Sequence, residues 1–347
     1  MKPLPLLLAV ALLAPSALAK DPPASGKAVA EYEAVEKAVL EHVSTVGAEA
    51  AAVAVSKDGK LLLSRGYGYA DRAKKTPTPP DALFRIASCS KPITATLIKN
   101  AVHDEKLTLD AKAFDLLGLK PSKKGDAKLA DITVQHLLDH KGGWDRDAAF
   151  DPMFKVPDIE KELGKRPATP ALVVEYMLSR PLQFTPGEKT AYSNFGYCVL
   201  GRVVEKATKK TYAEALEASL CKPLGTKDIR VGQQAAKKRD AREVSYPPAG
   251  EEVAVDVLDA CGGLVASAPA LCTFMDAYWI NGDPRKGNEW GDWTFFGSLP
   301  GTGSMIRQRK DGYNVAVLWN NRREKSFKED NEALKKAVDA ALDEVKK

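Results

Sequence analysis

The sequence predicts an α+β protein, an antiparallel β-sheet flanked by terminal helices with an inserted all-helical lobe. Three observations carry this expectation. Alternating strand patterns joined by Asp-Gly turns occur near both ends of the chain, at Asp58-Gly59 and Asp311-Gly312. Between about residues 88 and 242 the apolar spacing is helical. Each end also carries an amphipathic helical stripe suited to covering one face of such a sheet.

Taken in order, Lys2, the apolar run Leu4 to Ala14 and Ala17-Leu18-Ala19 read as a signal peptide over residues 1–19, cut before Lys20. That run is too short for a membrane span, and no other apolar stretch is long enough. The expected product, residues 20–347, is an exported, periplasmic or secreted bacterial protein. It forms one domain, with an α/β part at about 27–87 and 243–347 and a helical lobe at about 88–242. A helix is expected from about Lys27 to Val43, with Val29, Tyr32, Val35, Val39 and Val43 on one face. Strands follow at Ala51–Val55 and Lys60–Ser64. The run Gly66-Tyr67-Gly68 lacks the third glycine of a nucleotide loop and reads as a strand end. Thr169-Pro170 starts a helix, with Thr as cap and Pro in the first turn. Two more helices are expected at Tyr197–Lys206 and Tyr212–Leu220. Strands return beyond about Glu243, with a hairpin of Ser304–Gln308 and Tyr313–Trp319, and a last helix carries Leu334, Val338, Leu342 and Val345 on one side.

The formal net charge of +5 is spread in small groups such as Lys74-Lys75, Lys123-Lys124, Lys209-Lys210 and Lys237-Lys238. These read as solvated faces and give no case for nucleic-acid binding. Five cysteines are an odd number, so at least one thiol is expected to be free, and their spacing identifies no pairing and no Cys-x-x-Cys metal pattern.

Three remote stretches fit one acyl-transfer site: Ser88-Cys89-Ser90-Lys91, Tyr192-Ser193-Asn194, and Gly297-Ser298 within Phe295 to Gly301. A hydroxyl nucleophile needs a base for its proton and donors for the oxyanion. Pro92 lacks an amide proton and sits best in a first helical turn, so a helix should start near Ser88 and put its hydroxyl at the positive end. Lys91, three residues on, can reach that hydroxyl. It can act as a base only when neutral, a state that burial favours. Ser219-Leu220-Cys221-Lys222 also fits Ser-x-x-Lys, but it ends a helical run and lacks a later Tyr-x-Asn, so it reads as structural. Tyr192 is expected to relay the proton, and Asn194 to orient either the substrate or Lys91. Cys89, with no nearby histidine in sequence, reads as a small buried residue. His136 and His140 stand at i, i+4, but Leu137 occupies the place where a zinc peptidase has Glu, so a buried histidine beneath the cleft is expected. Trp144, after Gly142-Gly143, lines a substrate pocket or packs its loop.

These segments, with Gly66–Asp71, Phe84–Thr94, Lys106–Asp110, Ile132–His140, Pro186-Gly187, Tyr192–Gly201, Gly262–Ser267 and Gly297–Gly301, resemble the serine β-lactamase and penicillin-binding protein superfamily, in particular class C β-lactamase-like serine hydrolases and esterases. The resemblance covers nearly all of the chain after the leader and implies a β-lactamase/DD-peptidase-like fold. It implies Ser88 as nucleophile, Lys91 as base, Tyr192 as shared acid and base, and the backbone amides of Ser88 and Ser298 as oxyanion hole. It implies no cofactor. The partner it implies is a small-molecule or peptidoglycan-type ester or amide substrate, with no obligate protein partner. One departure stands out. The family's third motif begins with Lys or His, whereas this chain has Phe295-Phe296-Gly297. Arg307 or Arg309 on the next strand could compensate if either faces the cleft. Losing the cation favours ester or neutral amide hydrolysis. β-Lactamase or D-Ala-D-Ala carboxypeptidase activity, or a catalytically weak penicillin-binding sensor, is the alternative.

Overall fold

The run Ala50 to Val55 is small and apolar at every position, which suits a strand covered on both faces. In the computed structural model, which describes residues 22–287 and 291–345, it lies inside a sheet. The expected signal peptide, residues 1–19, lies outside the described residues. The strands are β1 (Ala24–Ser25), β2 (Ala50–Lys57), β3 (Lys60–Asp71), β4 (Thr76–Pro77), β5 (Phe84–Arg85), β6 (Ile229–Val231), β7 (Leu264–Ala266), β8 (Trp293–Leu299), β9 (Thr302–Gln308) and β10 (Tyr313–Trp319). The main sheet runs β1-β3-β2-β10-β9-β8, with β4 against β3, and its pairs are antiparallel. The two chain ends meet at β2 and β10, where Val53 faces Val317 and Val55 faces Val315.

Successive side chains of a strand point to opposite faces. Ala51, Val53 and Val55 therefore share a core with Val315, Val317 and Trp319. Over this face lie the N-terminal helix Glu33–Val46 and the C-terminal helix Phe327–Glu344, through Val35, Val39, Leu334, Val338 and Leu342. Ala50, Ala52, Ala54, Ala316 and Leu318 point the other way, into a larger core shared with the helices Ser90–His103, Asn194–Thr208 and Ala268–Ala277. Burying one such valine or leucine contributes about 1.5–3 kcal/mol, so the terminal helices hold the sheet through a handful of contacts.

Several boundaries differ from expectation. The first helix begins at Glu33, after a 3-10 turn at Ala30–Tyr32, and runs to Val46, where Gly47 at φ 66 ends it. Gly66-Tyr67-Gly68 lies inside β3 and does not end it. A Cβ on Gly66 would stand 2.1 Å from the Thr78 carbonyl oxygen, and one on Gly68 2.0 Å from that of Glu49, so these glycines admit neighbouring backbone. The helix expected at Tyr212–Leu220 covers Tyr212–Leu216 and then widens to a π turn over Glu217–Cys221. The stretch 88–242 consists of helices joined by loops, and its strand β6 joins β7 and β5 in a small second sheet. All five cysteines are buried and free.

Candidate active site

Strand β5 carries the chain into the first motif. Arg85 is fully buried, stacks 4.1 Å over the Tyr246 ring, and donates to the Gly250 carbonyl. Ala87 then takes φ 45, a left-handed conformation rarely adopted by a residue with a side chain. This bend turns the strand into a 3-10 turn, Ala87–Cys89, with Ser88 at its centre, and then into the helix Ser90–His103. Ser90 Oγ ties the bend together, donating to the Ala87 carbonyl at 2.7 Å and accepting from Leu264 N–H at 3.1 Å. Pro92 falls in the first turn, where its missing N–H does no harm. The Ser88 amide stands in the 3-10 turn just ahead of the helix, where amides lack an intrahelical acceptor.

The second motif meets the first. The Tyr192 hydroxyl donates to Ser88 Oγ at 2.7 Å, across 104 residues of sequence. Lys91 is 1% exposed, and its Nζ lies 3.4 Å from Ser88 Oγ and 2.7 Å from Asn194 Oδ1. It also donates to the Cys261 carbonyl. These partners are a hydroxyl, an amide oxygen and a carbonyl, none of them charged. Asn194 opens the helix Asn194–Thr208, capped by Ser193 Oγ, which accepts from Gly196 N–H at 3.0 Å. Beneath Tyr192 lies His140, stacked ring on ring at 4.6 Å, its Nδ1 accepting from Ser193 N–H at 3.1 Å. Burial, with Lys91 nearby, pulls the His140 pKa down to about 4, so the ring is neutral near pH 7. His136 Nδ1 likewise accepts from Thr133 N–H as part of a helix cap. Both histidines serve the framework.

The third motif lies on β8, the edge of the main sheet. Leu299 and Thr302 flank the two-residue turn Pro300-Gly301, so they form a hydrogen-bonded pair. Alternation along the strand then turns the Ser298 N–H off the outer edge. Gly297 packs directly on the Ser88 bend, and a Cβ there would stand 2.2 Å from both the Ile86 carbonyl oxygen and Ser304 Oγ. Cys89 sits behind this contact, fully buried, with Ser304 Oγ 3.2 Å from its sulfur. Burial pushes its thiol up to about 12, so it stays protonated at neutral pH.

Ser88, Tyr192, Asn194, Phe295 and Ser298 line one cleft of about 800 Å³. Phe295 also walls a second cavity of about 930 Å³, against Lys91, His140 and Tyr197. Trp144 is not in the cleft. It is buried edge-on against Phe195 at 4.7 Å, because its loop folds back on the lobe core. Ser219 lies in the π turn, where its carbonyl accepts from Asn100. Neither Arg307 nor Arg309 replaces the missing cation, since both pair with Asp339 on the C-terminal helix, on the far face of the sheet. The cleft's guanidinium groups come from elsewhere. Arg322, just beyond β10, donates to Ser298 Oγ at 2.9 Å and pairs with Glu324. Arg146 lies 4.6 Å over the Tyr192 ring and 3.9 Å from Asp151, which accepts from Asn194 Nδ2 at 2.6 Å. The sequence reading missed Arg146, Asp151 and Arg322. Asp151 is a single charge in its loop, Arg146 sits between Asp145 and Asp147, and Arg322 opens the charged run Arg322-Arg323-Glu324-Lys325, so only the proximity of Arg146 to Gly142-Gly143-Trp144 could have drawn notice.

Known proteins share this arrangement of elements. The D-amino acid amidase of Ochrobactrum anthropi SV3 superposes with a TM-score of 0.72 at 22% identity, covering 92% of this chain and 100% of the amidase. EstCE1, a hydrolase with promiscuous acyltransferase activity, gives 0.66 at 18% identity over 89% and 98%. By sequence, esterase EstB of Burkholderia gladioli is 32% identical over 224 residues, 64% of this chain and 55% of EstB. A putative fimbrial assembly protein, FimD of Dichelobacter nodosus, is 35% identical over 166 residues, 48% of this chain and 39% of FimD. The chain thus spans about half or less of the length of these curated relatives. The family model described as Beta-lactamase matches residues 35–327, a span that holds all three motifs and strands β2 to β10, and the chain belongs to the β-lactamase family.

Proposed function

We propose that this protein is an exported serine hydrolase that forms an acyl-enzyme on Ser88 and acts on esters or neutral amides. The observation that carries the reading is the convergence on one hydroxyl of Tyr192 at 2.7 Å and a buried Lys91 at 3.4 Å. In the proposed cycle Ser88 Oγ attacks the carbonyl carbon while its proton passes to the neutral Lys91 amine. The amides of Ser88 and Ser298 hold the oxyanion. Tyr192 hands its proton to the leaving group and is reprotonated by the Lys91 ammonium, and water then releases the acid by the reverse steps. The name of esterase EstB and the D-amino acid amidase support ester or amide as the bond cleaved. Phe295, in place of a cation, supports an uncharged group beside the scissile bond.

A second reading, β-lactamase, D-Ala-D-Ala carboxypeptidase or penicillin-binding sensor, is favoured by Arg146 and Arg322, either of which could pair with a substrate carboxylate. One panel separates the two. Wild type and the Ser88→Ala, Lys91→Met and Tyr192→Phe variants are assayed with a short-chain aryl ester and a fluorescent penicillin. The proposal expects ester turnover that falls by at least about 10³-fold in Ser88→Ala and at least about 10²-fold in the other two. Stoichiometric penicillin labelling without turnover supports the second reading, and unchanged ester turnover in Ser88→Ala refutes the first.

A further inference from the structure

We propose that Asp151 is a positioning residue for this site: its carboxylate holds the Asn194 amide in the orientation that keeps the Lys91 lone pair free for Ser88. The inference rests on the serine-hydrolase reading and deepens it.

An amide side chain has one face that accepts and one that donates, and an ionised carboxylate only accepts. Asn194 Nδ2 donates to Asp151 Oδ2 at 2.6 Å, which leaves Asn194 Oδ1 to accept from Lys91 Nζ at 2.7 Å. While Lys91 is an ammonium, its own N–H groups would enforce that orientation. Once it gives up a proton to become a base, they no longer need to. A neutral amine can accept a hydrogen bond, so the amide could rotate and present its NH₂ to the lysine lone pair. That would occupy the electron pair that must take the Ser88 proton.

Asp151 blocks the rotation, since the turned amide would set its carbonyl oxygen against the carboxylate. With the amide fixed, the two N–H groups of neutral Lys91 go to Asn194 Oδ1 and the Cys261 carbonyl. The lone pair is left facing Ser88 Oγ at 3.4 Å.

Asp151 is itself held in place. Its Oδ1 accepts from Met153 N–H at 3.1 Å as the cap of the turn Pro152–Phe154, its side chain is 11% exposed, and Arg146 stands 3.9 Å from its Oδ2. The same Arg146 lies over the Tyr192 ring, so one loop braces both proton carriers. Because the Asn194 NH₂ is committed to Asp151, Asn194 serves Lys91, and of the two roles open to it the substrate-binding one recedes.

The test is a double-mutant comparison in the full-length protein with a short-chain aryl ester. Asp151→Asn, which permits the rotated amide, should lower kcat by on the order of tenfold to a hundredfold, with KM within about twofold. In an Asn194→Ala background the same change should cost less than about twofold. Asp151→Ser keeps a cap acceptor for the Met153 amide and repeats the comparison if the asparagine variant does not fold. Equal losses in both backgrounds, or a loss that appears in KM and leaves kcat unchanged, overturn the proposal and mark Asp151 as a loop cap only. Fluorophosphonate labelling of wild type at Ser88 is scored separately. Its absence overturns the hydrolase reading and this inference with it, whereas labelling with failed coupling overturns this inference alone.

Discussion

Gly297 carries only a hydrogen on the side where β8 meets the Ser88 bend, and a methyl group there would overlap the Ile86 carbonyl and Ser304 Oγ. In the proposed cycle this contact sets the spacing of the Ser88 and Ser298 amides, so Gly297→Ala should push the two proposed oxyanion donors apart. Loss of one such donor costs on the order of 10²–10³ in kcat. Steady-state kinetics with an aryl ester should show a fall of that size in Gly297→Ala, with Ser88 still labelled slowly by a fluorophosphonate. Unchanged kcat would contradict the role given to the third motif. At this scale the sequence was informative where chemistry comes as a pattern. Ser88, Lys91, Tyr192 and Asn194 stand in short ordered motifs, and they meet within hydrogen-bonding reach. Arg146, Asp151 and Arg322 were not legible, because a charge in a loop, isolated like Asp151 or among other charges like Arg146 and Arg322, resembles any solvated side chain until the fold brings a partner to it. Trp144 was ambiguous for a related reason. An aromatic after two glycines fits a pocket wall and a loop anchor equally, and packing against Phe195 decides for the anchor.

Elements with a local cause for their limits were the easiest to read. Asp58-Gly59 and Asp311-Gly312 are the turns of two hairpins, and Thr169 caps its helix by accepting from Leu172 N–H at 3.2 Å. The N-terminal helix was placed too early because Val29 and Tyr32 continue its apolar stripe, although they pack from outside the α-helical span. Further along this helix, His42 is buried edge-on against Trp319 of β10 at 4.5 Å. Burial, the largest cause, lowers its pKa to about 4 from the ordinary 6.5. The unfolded chain therefore binds a proton at His42 below about pH 6.5 that the folded chain refuses until about pH 4. The stability associated with the neutral ring is present above pH 6.5 and is lost as pH falls toward 4. By pH 5 this amounts to about 2 kcal/mol. Urea unfolding of wild type and His42→Gln should show their stability difference shrinking by that amount between pH 7 and pH 5. A difference that stays constant would contradict the assignment.

Across the whole molecule, the sheet is closed by residues almost at opposite ends of the chain, with Ala54 beside Ala316. The lobe that carries Lys91, His140 and Tyr192 is inserted between those ends, and the β8 edge of the joined sheet supplies one wall of the cleft. The strand patterns at both ends made this architecture legible, whereas the small sheet β5-β7-β6 escaped notice because two- and three-residue strands carry no periodicity. The central claim is that this assembly activates one hydroxyl, and its most direct test is to locate the covalent bond. Intact protein is treated with a fluorophosphonate, digested, and its peptides are mapped by mass spectrometry beside the Ser88→Ala variant. The account predicts a single adduct on Ser88 that is absent from the variant. An adduct on a different residue, or ester turnover that persists with Ser88 unmodified, would contradict it.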